Sequence, residues 1–189
     1  MKKIVLSSAV SLLLLVLLTG CGGQELSNVS LVRTLGVDGA GAVIVTAVAG
    51  TEGERAVFSA AGADIIDAQE ALETVGSERL AVTHVGQIVL GEGATARALW
   101  DEALHRDSGY GATVWRVEAG TAYSLLNRAD DPAGRLKHLE ESGAGAPSLL
   151  EAVSDLTARG RVGVPLIGVR DGSIEVVGRY EITAEEMFS

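Results

Sequence analysis

A single cysteine, Cys21, occurs in the 189 residues, so no disulfide can close within the chain. Aromatic residues make up 4% of it, too few to build the stacked platforms on which bases are held. Lysine is almost missing: Lys2 and Lys3 stand at the start, Lys137 follows alone, and arginine supplies the other positive charges. Setting Lys2 and Lys3 aside leaves 13 basic against 25 acidic residues, a net of −12. Such a surface repels phosphate backbones and anionic headgroups, which argues against nucleic acid as a partner. The G-x-S-x-G, H-E-x-x-H and P-loop signatures are absent from the sequence, and no enzyme is expected. Beyond residue 20 no apolar run is long enough to cross a bilayer.

What is present begins at the N-terminus. Lys2 and Lys3 form a short basic region, and Leu12–Leu18 is a compact apolar core. At seven residues it is too short to span ~30 Å of hydrocarbon, so it targets rather than anchors. Leu18-Thr19-Gly20-Cys21 has the form of a lipobox, with small residues just ahead of a cysteine. Residues 1–20 are therefore read as a cleavable signal peptide, Cys21 as the site of lipidation, and 21–28 as the lipidated tether. A diacylglycerol on Cys21 buries two acyl chains at ~0.8 kcal/mol per methylene, and two chains hold stably where one does not. The expected location is the outer face of a cell membrane, reached through the lipid.

Residues 29–189 are rich enough in Val, Leu, Ile and Ala to bury a core. Val29, Leu31, Arg33, Leu35 and Val37 alternate with Ser30, Val32, Thr34 and Gly36, the period of a strand. Asp38-Gly39-Ala40-Gly41 is turn chemistry, Ala42–Val48 a returning strand, and Ala56–Ser59 a third. Over 64–76, Ile65, Ala68, Leu72 and Val75 share one helical face. Gln87–Leu90, a helix over 94–106 and Thr113–Glu118 make a β-α-β unit. A short helix begins at Thr121, Asp131-Pro132 opens another as N-cap and N1, and Pro147 or Ser148 opens one that ends near Gly160. The tail is Gly163–Val169, a turn at Asp171-Gly172, then Ile174, Val176, Gly178, Tyr180 and Ile182 in alternation, read as one inward face. The fold class is α/β, with mixed sheets and packed helices. First and last strands are expected in one sheet, with 55–127 as a second layer or inserted subdomain.

Few residues promise chemistry. His84 is read as a partly buried histidine bonded to backbone rather than as a ligand. Glu102 and His105 at i, i+3, with Asp107 nearby, lack the convergence from several elements that a metal requires, so no metal is assigned. His138 belongs on a polar helix surface. Gly91-Glu92-Gly93-Ala94-Thr95-Ala96 fits G-x-G-x-x-A between strand and helix, with Glu118 some way on, which is the dinucleotide pattern. Glu92 would set a carboxylate beside the pyrophosphate, so the stretch is read as a turn and no cofactor is assigned. No catalytic residue is named.

Several of these stretches, in order, resemble a known family. The lipobox leads to a strand ending Leu35-Gly36-Val37-Asp38, then to Thr83-His84-Val85-Gly86-Gln87-Ile88-Val89-Leu90-Gly91-Glu92 and Leu104-His105-Arg106-Asp107. Pro165-Leu166 in a strand and Val177-Gly178-Arg179-Tyr180 follow. The set is similar to the N-terminal region of spore germinant-receptor C-subunit lipoproteins, the Ger(x)C family. The resemblance implies a non-enzymatic subunit, lipid-anchored on the outer face of the inner spore membrane. There it would assemble with the polytopic A and B subunits of a nutrient germinant receptor. The alternative reading is a solute-binding or envelope-maintenance lipoprotein unrelated to spores.

Overall fold

The computed structural model describes residues 29–39, 42–51, 54–75, 79–105 and 110–187. Residues 1–28, over which a signal peptide, lipidated Cys21 and a tether are expected, lie outside the described residues, as do Arg106 and Asp107. Among the described residues the elements run β1 (Val29–Gly39), β2 (Val43–Thr51), β3 (Glu54–Gly62), α1 (Ile65–Glu73), β4 (Arg79–Ala81) and β5 (Gln87–Leu90). Then come α2 (Ala96–His105), β6 (Thr113–Val117), α3 (Ala122–Arg128), α4 (Pro132–Glu141), α5 (Leu149–Arg159), β7 (Arg161–Arg170) and β8 (Ser173–Thr183).

All eight strands join one mixed sheet in the order β3-β2-β1-β5-β6-β7-β8, with the short β4 beside the start of β1. First and last strands thus share a sheet, as expected. Segment 55–127 lies between them, but its strands are part of that same sheet rather than a second layer. The centre is parallel: β1 pairs with β5, β5 with β6 and β6 with β7. Hairpins flank it, β1-β2-β3 on one side and β7-β8 on the other. Parallel strands need cover on both faces, and the helices provide it. Ile65, Ala68 and Leu72 of α1, Leu99 and Ala103 of α2, and Leu149, Ala152 and Leu156 of α5 pack on one face. On the other, Ala122, Leu125 and Leu126 of α3 and Leu136 of α4 surround the fully buried Trp115. The central strands β5 and β6, covered twice, are buried along nearly their whole length for that reason.

Helix ends follow their sequence signals. Asp131 caps α4 through Gly134 N (3.1 Å), with Pro132 at the first helical position. Ser148 and Glu151 make a reciprocal capping box on α5. Asp171-Gly172, both at positive φ, form the two-residue turn between β7 and β8.

Two strands depart from simple alternation, each at a bulge. In β1 the register slips between Val32 and Thr34, which leaves Arg33 as the extra residue. Val32 is therefore buried with Leu35 and Val37, whereas Leu31 and Arg33, in the same alternating row as Leu35 and Val37 by sequence, are exposed. In β8 Val177 is the extra residue, since Leu166 faces Gly178 and Ile167 faces Val176. Ile174 packs with Ile167 against the α3 and α4 side, and Ile182 packs with Val162 and Val164 against the α5 side. The row Ile174 to Ile182 is thus two half-rows on opposite faces. Val176, expected inward, is exposed, although Ile174 on the same half-row is buried.

Candidate functional site

The parallel strands carry their functional geometry at their C-terminal ends, where β1 and β5 part. From β1 the chain turns to β2, and from β5 it runs through α2 to β6, on the other side. Such a switch point opens a crevice in α/β sheets. Here it is a cleft of about 530 Å³ lined by Asp38, Asp64, Thr95, Arg97 and Asp101 among others.

Asp38 is the centre of this end. It is the penultimate residue of β1 and almost fully buried. Oδ1 accepts from Ala122 N at 2.6 Å and Oδ2 from Tyr123 N at 3.1 Å. Thr121 Oγ1 accepts from Ser124 N at 3.1 Å, so the first three amides of α3 are all satisfied. A carboxylate at a helix N-terminus also meets the positive end of the helix dipole. Burial nevertheless pushes the Asp38 pKa above its ordinary value. The Ala122 and Tyr123 amides and the Arg116 guanidinium pull it back, and the Glu92 carboxylate adds a smaller push upward.

Two glycines admit this arrangement. A β-carbon on Gly91 would overlap both Asp38 Oδ1 and Ala122 N. One on Gly36 would stand 2.8 Å from Leu126 Cδ1 and 3.0 Å from the Ala122 β-carbon. Backbone bonds lock the corner: Gly91 N donates to Val37 O (2.9 Å), Gly39 N to Glu92 O (3.0 Å) and Glu92 N to Gly120 O (3.0 Å). Arg116 Nη1 donates to Ala94 O at 2.7 Å, and its guanidinium lies 5.0 Å from the Tyr180 ring. The first glycine of the G-x-G-x-x-A stretch therefore makes room for a carboxylate and a helix end of this chain. The close approach that a pyrophosphate would take above Gly91 is already filled.

The other charged groups of the cleft are engaged locally. Asp64 caps α1, accepting from Ile66 N and Asp67 N at 2.9 Å each. Arg97 and Asp101, one helical turn apart, form an ion pair at 3.4 Å.

The remaining sequence candidates do not converge. His84 stands exposed in a one-turn 3-10 helix, Val82–His84, rather than partly buried. That turn passes over the end of β4 before β5 begins. His138 is exposed on α4, as read. Glu102 is buried and accepts a hydrogen bond from Gln69 Nε2, so it faces α1. The side chain of His105 and the whole of Asp107 lie outside the described residues. Among the described residues no group of three His, Cys, Asp or Glu could hold a metal ion, and no helix is long and apolar enough to cross a membrane. Cys21 lies outside the described residues. Sequence reasoning gave no role to Asp38, read as turn chemistry and as the end of a resembling strand, nor to Arg55, which donates to the carbonyls of Asn127 (3.0 Å), Ala129 and Asp130 at the end of α3.

Comparison with family models, with curated proteins and with solved structures finds no match for this chain.

Proposed function

We propose that this chain is a non-enzymatic lipoprotein, anchored by a diacylglycerol on Cys21, that serves as the C subunit, or a relative of it, of a nutrient germinant receptor. The observation that carries the reading is Leu18-Thr19-Gly20-Cys21 at the end of a short apolar core, followed in order by the resembling stretches. It gains support from two of those stretches, Leu35-Gly36-Val37-Asp38 and the Gly91-Glu92 end of the second, which interlock around one carboxylate. Residues that answer one another across the fold belong to one device, and that accounts for their joint presence in the sequence. In this role the α/β body is a rigid platform on the outer face of the inner spore membrane, and the A and B subunits are its membrane partners.

The test is capture of the full-length, tagged protein from solubilised spore membranes. Two polytopic membrane proteins should co-purify, and Cys21 should carry labelled palmitate. Recovery of a lipidated protein with a retained small solute and no polytopic partner would favour the solute-binding alternative, for which the cleft beside Asp38 is the available space. An unlabelled Cys21 would sink the anchor itself.

A further inference from the structure

We infer that the edge of the sheet at which the parallel strands begin rests on the surface of the bilayer, with Leu104, Tyr110 and Leu150 in contact with lipid. The inference rests on the lipid-anchor reading above. Seven residues separate Cys21 from Val29, the first residue of β1. At ~3.5 Å per residue they span at most about 25 Å even fully extended. The start of β1 is therefore confined close to the membrane, whatever path the tether takes. Parallel pairing fixes what lies beside it: Gln87 and Thr113, the first residues of β5 and β6, are level with Thr34, five residues into β1, so all three strands run away from this edge and β1 reaches furthest toward it.

The same edge carries large apolar side chains that stand exposed among the described residues. Leu104, in the last turn of α2, is 63% exposed; Tyr110, just ahead of β6, is 45% exposed; Leu150, at the start of α5, is 58% exposed. Leu150 N donates to Tyr110 O at 3.2 Å, so these two stand side by side. Leu31, 50% exposed, lies on the other face of the same edge. A tyrosine with an apolar body and a polar tip suits the headgroup boundary. Electrostatics does not drive this contact, since Glu140, Glu141 and Glu151 are exposed on the neighbouring helix ends. The surface it fits is therefore zwitterionic, and contact is weaker on an anionic bilayer of the same chain length.

Tyr123 supplies an internal control. It is 47% exposed, nearly the same as Tyr110, but at the start of α3 on the opposite edge of the sheet. The full-length protein, with lipid on Cys21 verified by mass, is placed in phosphatidylcholine vesicles and labelled with hydroxyl radicals. Tyr110 should be labelled several-fold less than Tyr123, and the difference should shrink on phosphatidylglycerol vesicles. Leu104→Glu with Leu150→Glu should bring Tyr110 up to Tyr123 while the protein stays in the membrane fraction. Equal labelling of the two tyrosines in a verified lipoprotein overturns the inference and leaves the anchor reading intact. Protection of Tyr123 instead would put the opposite edge on the membrane. Protection of Tyr110 that rises with the protein-to-lipid ratio would assign the edge to a second copy of the chain. A mass without lipid on Cys21 removes the anchor reading, and this inference with it.

Discussion

The carboxylate of Asp38 occupies the space a side chain on residue 91 would need, so the two positions, one near the end of β1 and the other directly after the adjacent parallel strand β5, are chosen together. The cost of breaking this relationship is large because both partners of the overlap, an acceptor and the first amide of α3, are buried. Gly91→Ala is expected to destabilise the protein by about 3 kcal/mol or more, in the range of overpacked cores and lost buried hydrogen bonds. In Asp38→Ala, where the carboxylate is gone, the same change at 91 should cost less. A double-mutant cycle by chemical denaturation measures that coupling. Additive costs would mean that Gly91 serves some other purpose.

Asp38→Asn keeps the shape but has one acceptor to offer two amides, and its own N–H₂ then faces a donor. A loss of roughly 1–3 kcal/mol at neutral pH is expected. The pH dependence carries a sign. Burial raises the folded pKa of Asp38, so in the window between the ordinary carboxylate value and the raised one the native state binds more proton than the unfolded chain. Stability from this group therefore falls as pH rises through that window and is level above it. The gap between wild type and Asp38→Asn should widen on acidification from neutral pH. A gap that narrows there would contradict the assignment.

Glu151 has the opposite sign. The amide and hydroxyl of Ser148 hold its carboxyl below the usual value, so its contribution is present above the unfolded pKa and is lost as pH falls through the folded one. Ser148→Ala should cost about 1 kcal/mol, as N-cap losses do. It should also flatten the acid side of the stability profile, measured by thermal unfolding at several pH values.

The bulge at Val177 separates positions that the alternation in β8 makes look alike. Ile182→Asp would bury an unpaired carboxylate against Val162 and Val164 and should cost several kcal/mol. Val176→Asp, at an exposed position, should change stability by about 0.5 kcal/mol or less. Equal losses at the two positions would place both on one covered face.

Much of the fold was legible because its signals are local. The capping box Ser148–Glu151, the Asp131-Pro132 start and the Asp171-Gly172 turn each specify geometry within four residues. The β5-α2-β6 unit was readable because its strands are buried on both sides and its helix on one. The bulges at Arg33 and Val177 were hidden, because an extra residue in an apolar-rich strand leaves the pattern of residue types intact while exchanging the faces. Asp38 was hidden for a different reason. Its partners are backbone amides 84 and 85 residues away, and an amide has no residue type to betray it. The nearest thing to a trace was Gly91, which the dinucleotide pattern claimed first.

The position of β1 in the sheet has a mechanical consequence. The chain enters the fold from the Cys21 side through β1, an interior strand hydrogen-bonded to β2 along one side and to β4 and β5 along the other. A pull from the Cys21 side acts along this strand, across hydrogen bonds that lie nearly perpendicular to the force on its antiparallel side. Those bonds are loaded in shear, many at once, rather than peeled open one after another as they would be from an edge strand. At its far end β1 is pinned again, by Asp38 on the amides of α3. Tension arriving from a membrane would thus be delivered to the middle of the sheet and shared by both flanking hairpins, and the body would move before it frayed.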